Sequence, residues 1–336
     1  MRRRGKMSWS KDMIFGAASA AYQVEGAYNC DGRGLSIWDA LSDGYVKHGD
    51  NGNTACDEYH RFREDIALMK KLNLQAYRFS VSWPRIIPKE GVVNEKGIRY
   101  YQNLVDEVLA QGMIPMVTLY HWDLPMWMHG KGGWYADEIA DQFASYVEVV
   151  VDALSDRVKY WMTMNEAATF IGAGYLEGVH APFETVSRDA EDYEEKVSVL
   201  TKHVLLAHGR AVQIIRKKAK LQPVIGIAMD GKFFLPDSEE EKDIEHARQE
   251  TYTEDVDCHR INWWLDPICK GTVNPVLQKK ISAEEMKVIH QPIDFIGYNC
   301  YKANNFDDDD GRNPSVKPGM PRTAMGWNIT PDALYW

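Results

Sequence analysis

The stretch K-Y-W-M-T-M-N-E, residues 159–166, is an apolar, aromatic-rich run that stops at an amide beside a carboxylic acid, Asn165 and Glu166. A run of this length and composition reads as a strand buried inside a sheet. Polar side chains delivered at its C-terminal end must find partners in a pocket or at a surface.

On either side of it the same kind of short β-like run recurs, each time separated by a long amphipathic segment. I-F-G-A-A-S-A-A-Y (14–22), A-Y-R-F-S-V-S-W (76–83) and I-P-M-V-T-L-Y-H (114–121) lie before it, and V-I-G-I-A-M-D (224–230) and D-F-I-G-Y-N-C-Y (294–301) lie after it. Between them, Phe62, Ile66, Met69 and Leu72 have helical spacing, as do Ile98, Tyr101, Leu104 or Val105, and Val108 behind Asn94 and ahead of Gly112. Further helices are expected over about 136–154, 188–219 and, with irregular connections, 238–289. Residues 302–324 carry D-D-D-D-G and read as an exposed loop, and Pro331 after Thr330 looks like a helix start. Strands joined by crossovers of this length pair in parallel and with right-handed connections.

Six βα units suit an open doubly wound sheet or most of an eight-unit barrel. The strand ends decide. Gln23, Trp83, His121, Trp122, Glu166, Asp230 and Tyr301 lie at or just past the C-terminal ends of different predicted strands. A barrel gathers polar groups from every strand around one mouth, whereas an open sheet concentrates them at one switch point. The chain has no G-x-G-x-x-G and no Walker loop, so the barrel is favoured and a nucleotide cofactor is not expected.

Composition narrows the function further. The 336 residues include 39 basic and 49 acidic side chains, a net charge of −10 that argues against nucleic acids and anionic membranes as partners and favours a neutral substrate. Cys30, Cys56, Cys258, Cys269 and Cys300 lack C-x-x-C spacing, so neither a zinc site nor a disulfide framework is suggested. No run has the length and apolarity of a membrane span, and the basic start lacks the apolar stretch of a signal peptide, so a cytoplasmic location is expected. Residues 1–11 read as an N-terminal extension and 12–336 as a single barrel domain. Eleven Trp and seventeen Tyr suit the flat faces of sugars, although aromatics serve a core more often.

The ordered motifs F-G-A-A-S-A-A-Y-Q-V-E-G, D-G-R-G-L-S-I-W-D, Y-R-F-S-V-S-W-P-R-I, L-Y-H-W-D-L-P, W-M-T-M-N-E, G-x-H-A-P and D-F-I-G-Y-N-C-Y resemble family 1 glycoside hydrolases, the β-glucosidase family. The likeness runs collinearly from about residue 12 to residue 336. It implies a retaining β-glycosidase acting on β-glucosides or short β-linked oligosaccharides without metal or cofactor, with Glu166 as general acid/base. By the same resemblance Asn165 binds the sugar 2-hydroxyl, Gln23 and His121 bind hydroxyls on the far side of the ring, and Trp122 walls the subsite. Arg78 and Tyr301, with Asn299 as a weaker candidate, match residues that support the catalytic nucleophile.

Four positions depart from the family pattern. Ala167 replaces a proline and Ala168 an aromatic residue after the acid/base, Cys300 replaces the middle of N-Y-Y, and Asp230 stands where Asn is usual. The last change would put a negative charge near Glu166 and raise its pKa.

The family's nucleophile lies in a T-E-N-G motif on the seventh strand, and this motif does not occur in residues 1–336. The resemblance therefore implies a (β/α)8 TIM barrel truncated after about six βα units, without the nucleophile and with little or no turnover by itself. Its open edges would call for pairing with another copy of the chain, as a homo-oligomer. The alternative expectation is a truncated, non-catalytic sugar-binding or regulatory remnant.

Overall fold

The computed structural model describes residues 10–303 and 321–336. Strands β1 (Gly16–Ala18), β2 (Ala76–Ser80), β3 (Ile114–Thr118), β4 (Tyr160–Asn165), β5 (Val224–Met229) and β6 (Phe295–Tyr298) form one sheet in which spatial order equals sequence order. Every pairing is parallel. A doubly wound sheet reverses its strand order at a switch point, whereas here each strand is added beside the last, as in a (β/α) barrel.

The long helices between the strands are α1 (Glu58–Lys71), α2 (Glu95–Ala110), α3 (Ile139–Leu154), α4 (Tyr193–Lys218), α5 (Glu241–Thr251) and α6 (Ala283–Ile289). Helix α2 shows why they form where they do. The Asn94 side chain accepts from the Lys96 N–H at 3.2 Å, Tyr101, Leu104, Val105 and Val108 bury one face, and Gly112 at φ 69° ends the helix. In α3, which packs against α4, Phe143, Val147, Val150, Val151 and Leu154 are buried, and each large side chain so placed contributes about 1.5–3 kcal/mol.

At both ends of the sheet glycine permits close approach. A Cβ on Gly16 of β1 would lie 2.6 Å from the Ala76 carbonyl oxygen, and one on Gly226 of β5 would lie 2.4 Å from that of Phe295 in β6. Any side chain there would push an edge strand off its neighbour.

Several elements differ from the sequence reading. The first strand is three residues long rather than nine, because Ile14 and Phe15 are exposed and the chain turns into a one-turn helix at Ala21–Val24. Trp83 is not at the mouth: Pro84 starts a helical turn there, and the indole stacks on Tyr146 with centroids 5.2 Å apart in the core. The stretch 238–289 is broken into α5, short helices at Ile261–Leu265 and Pro275–Gln278, and α6. Pro267, Gly271 at φ 67° and Pro275 supply the breaks. After Thr330 the residues form turns, with Ala333 N–H bonding Thr330 O at 3.1 Å and Tyr335 N–H bonding Asp332 O at 3.0 Å, not a helix. Residues 304–320 of the expected loop lie outside the described residues.

Candidate active site

The C-terminal ends of β2 to β6 bring polar side chains together, and β4 does most to aim them. Met162 pairs with Gly226 but Asn165 pairs with Ala228, so β4 carries an extra residue, a bulge that re-aims the side chains beyond it. Glu166 then adopts a left-handed conformation at φ 53°, a strained choice for a residue with a side chain. Its N–H bonds Ala228 O at 2.8 Å, and its carbonyl accepts from Thr169 and Phe170 N–H groups at 3.1 Å, starting the short helix Ala167–Ile171.

Asn165 is the hub. It is 1% exposed, and its Oδ1 accepts from Arg78 Nη2 at 2.5 Å and from Asn299 Nδ2 at 3.0 Å. Its Nδ2 lies 3.3 Å from His121 Nε2, and its backbone carbonyl accepts from Trp122 Nε1 at 2.8 Å. With the amide donating, His121 Nε2 is the acceptor. Burial, and then the Arg78 cation, push the imidazole down to about 3, so it stays neutral at physiological pH. Arg78 is fixed from the other side by Thr118 Oγ1, which accepts from its Nε at 2.8 Å.

Glu166 accepts a hydrogen bond on Oε1 from Asn299 Nδ2. Burial, then the nearby charge of Asp230, raise its pKa to about 7 against the lowering effects of Asn299, Asn165 and Arg78. The carboxyl group can thus be an acid or a base near neutral pH. Asp230 is itself pushed up by burial, its Oδ2 takes a hydrogen bond from Thr169 Oγ1, and its Oδ1 is buried with no partner among the described residues.

The structure thus joins Arg78, His121, Trp122, Asn165, Glu166 and Asn299 in one hydrogen-bonded cluster. Asn299 and Arg78, expected beside a nucleophile, here hold Asn165, and Asn299 holds Glu166 as well. Tyr301 is 62% exposed and rests on Trp327 with centroids 5.6 Å apart, close enough to feel the charges of Glu166 and Arg78. Gln23 lies on the one-turn helix after β1 with an exposed side chain. Ala167 and Ala168 are fully buried, so they form no surface beside Glu166.

Sequence reasoning passed over Thr118 and Thr169, the hydroxyls that fix Arg78 and Asp230. It also gave no role to His180, although the G-x-H-A-P motif contains it. The His180 ring lies between those of Trp122, at 5.4 Å, and Trp38, at 5.5 Å.

Among the described residues no group of three or more His, Cys, Asp or Glu side chains is placed to hold a metal ion. All five cysteines are free, and no described helix is long and apolar enough to cross a membrane.

The arrangement has known counterparts. The family profile for glycosyl hydrolase family 1 matches residues 6–336. Beta-glucosidase A of Thermotoga maritima is 42% identical over 341 residues, which cover 96% of this chain and 72% of the relative. Beta-glucosidase A of Acetivibrio thermocellus is 39% identical, with 98% and 75% covered. The solved structure of the Thermotoga maritima beta-glucosidase in complex with deoxynojirimycin superposes with a TM-score of 0.83 at 39% identity, covering 98% of this chain and 74% of that one. An unbroken family match, a shared barrel and an acid in a polar cluster at the strand ends lead to one conclusion: the chain belongs to glycosyl hydrolase family 1.

Proposed function

We propose that this site is the acid/base half of a retaining β-glucosidase centre that acts on terminal β-linked glucosyl residues. Glu166 protonates the glycosidic oxygen as its bond to C1 lengthens, and in the second step its carboxylate takes a proton from water. The observation that carries the reading is a nearly closed-off carboxyl group with an amide donor and a neighbouring carboxylate, which holds its proton up to about 7. The names of the relatives and the glucose-like inhibitor held by one of them support a glucosyl substrate.

Retaining chemistry needs a second carboxylate about 5–5.5 Å from the first, across the scissile bond. Asp230 does not fill that role, because it directly follows β5, the strand next to β4, with Oδ2 bound to Thr169 and Oδ1 buried. T-E-N-G does not occur in residues 1–336, so on this reading these residues do not themselves supply the nucleophile.

Exogenous azide tests this division. Azide attacks C1 of an aryl β-glucoside, the C1–O bond breaks, and Glu166 gives its proton to the departing aryloxide, leaving an α-glucosyl azide. The chain alone should turn over slowly, azide should accelerate it, and Glu166→Gln should abolish the gain for poor leaving groups. Fast hydrolysis without azide would place the nucleophile inside the chain. Binding of glucose-like inhibitors without azide acceleration would favour a sugar-binding role over catalysis.

A further inference from the structure

Rings lead away from the pocket in an unbroken series. Trp122 meets His180 with centroids 5.4 Å apart, His180 meets Trp38 at 5.5 Å, Trp38 meets Phe183 edge-on at 6.1 Å, and Phe183 stacks on Tyr45 at 4.1 Å with 10° between their planes. They come from three loops, those after β1, β3 and β4. At the outer end, Tyr45 is 63% exposed.

A lone exposed aromatic needs no explanation. This one is held in place. Phe183 under it has a φ of 64°, unfavourable for a bulky residue and of a kind that gathers at ligand sites. The loop beneath is pinned by backbone hydrogen bonds from His180 to Ala173 at 2.9 Å, Glu184 to Gly174 at 2.9 Å and Val186 to Leu176 at 2.9 Å. On the other side Tyr45 N–H bonds Ser42 O at 3.1 Å, and Ser42 Oγ bonds Trp38 O at 2.6 Å. A surface ordered before its ligand arrives loses little entropy on binding. By contrast, the chain just past Glu166 offers no ring, since Ala167 and Ala168 are buried.

We propose that Tyr45 and Phe183 form a rim platform for a distal glucosyl unit of a β-linked gluco-oligosaccharide whose terminal unit occupies the pocket; this rests on the β-glucosidase reading. The C–H groups on a β-glucosyl ring give it a flat apolar face that packs on an aromatic ring. An aryl group attached directly to the pocket sugar reaches the rings nearest Trp122. Tyr45, separated from Trp122 by three intervening rings, is in reach of a longer chain.

The test is calorimetric titration with glucose, phenyl β-glucoside and β-1,4-linked glucotetraose, in the Glu166→Gln background so that ligands stay intact. The tetrasaccharide should bind about tenfold more tightly than glucose, the affinity step that corresponds to 1.4 kcal/mol. Tyr45→Ala and Phe183→Ala should each reduce that ratio several-fold, and Tyr45→Phe should keep it. Glucose binding by each variant reports that it is folded. Glucose binding with no added affinity for the tetrasaccharide overturns the platform alone, as does an advantage that survives both alanine variants. An equal loss for phenyl β-glucoside overturns the oligosaccharide assignment. No binding of any of the three overturns the pocket reading as well.

Discussion

Glu25 and Glu166 lie near the same end of the sheet and are 3% and 5% exposed, yet their surroundings differ in kind. Glu25 faces Arg85 Nε at 2.9 Å and accepts from the Tyr101 hydroxyl, while Arg85 is also bound by the Gly26 carbonyl at 3.2 Å and covered by the Tyr59 ring. Glu166 has an amide from Asn299 and a second carboxylate, Asp230, within electrostatic reach. The nearby cation, Arg78, spends its hydrogen bonds on Asn165 and Thr118. Equal burial therefore gives a closed ion pair in one region and a proton-holding acid in the other. Glu58 adds a further distinction. Burial raises it to about 7 as well, but it faces the Tyr77 hydroxyl inside the structure and not the cluster at the strand ends.

Breaking the Glu25 side should cost most. Arg85→Met leaves a buried carboxylate without its cation, and the free energy of unfolding by urea should fall by about 3–5 kcal/mol. A loss below about 1 kcal/mol would erase the contrast between the two regions.

Glu166→Gln should act in the opposite direction, and with pH. The folded-state pKa of about 7 lies above the ordinary value of 4.5, so the folded protein binds this proton more tightly than the unfolded chain. The stability so gained is fully present below 4.5 and lost as pH rises through 7. Relative to Glu166→Gln, the unsubstituted protein should lose about 3 kcal/mol between pH 4.5 and 8, read from urea unfolding across that range. In Asp230→Asn the loss over the same window should be smaller, because the second cause of the shift is gone. Smallest is Thr169→Val, which takes one hydrogen bond from Asp230 and should cost about 1–2 kcal/mol in the same measurement.

Much of this was legible in the sequence because its signals are local. The apolar run ending at Asn165 and Glu166 marked β4, and helical spacing marked α2 through to its Asn94 cap and Gly112 stop. What stayed hidden depends on register and long-range contact. No local pattern says that Arg78 will meet Thr118 across β2 and β3, or that Asn299 will reach back to Glu166 across 133 residues. The bulge in β4 is likewise set by pairing with β5. Trp83 misled because an aromatic residue past a strand reads equally as pocket wall or core, and stacking on Tyr146 decides for the core. The breaks in 238–289 were readable from Pro267, Gly271 and Pro275, which interrupt an otherwise helical pattern.

Most depends on Glu166 being a buried acid without a bonded cation, one that keeps its proton near neutral pH. Carbon-13 NMR titration of the Glu166 carboxyl group, assigned by its disappearance in Glu166→Gln, measures this directly. A midpoint at about 7 is expected; a midpoint at or below the ordinary 4.5 would contradict the assignment of Glu166 as the proton donor.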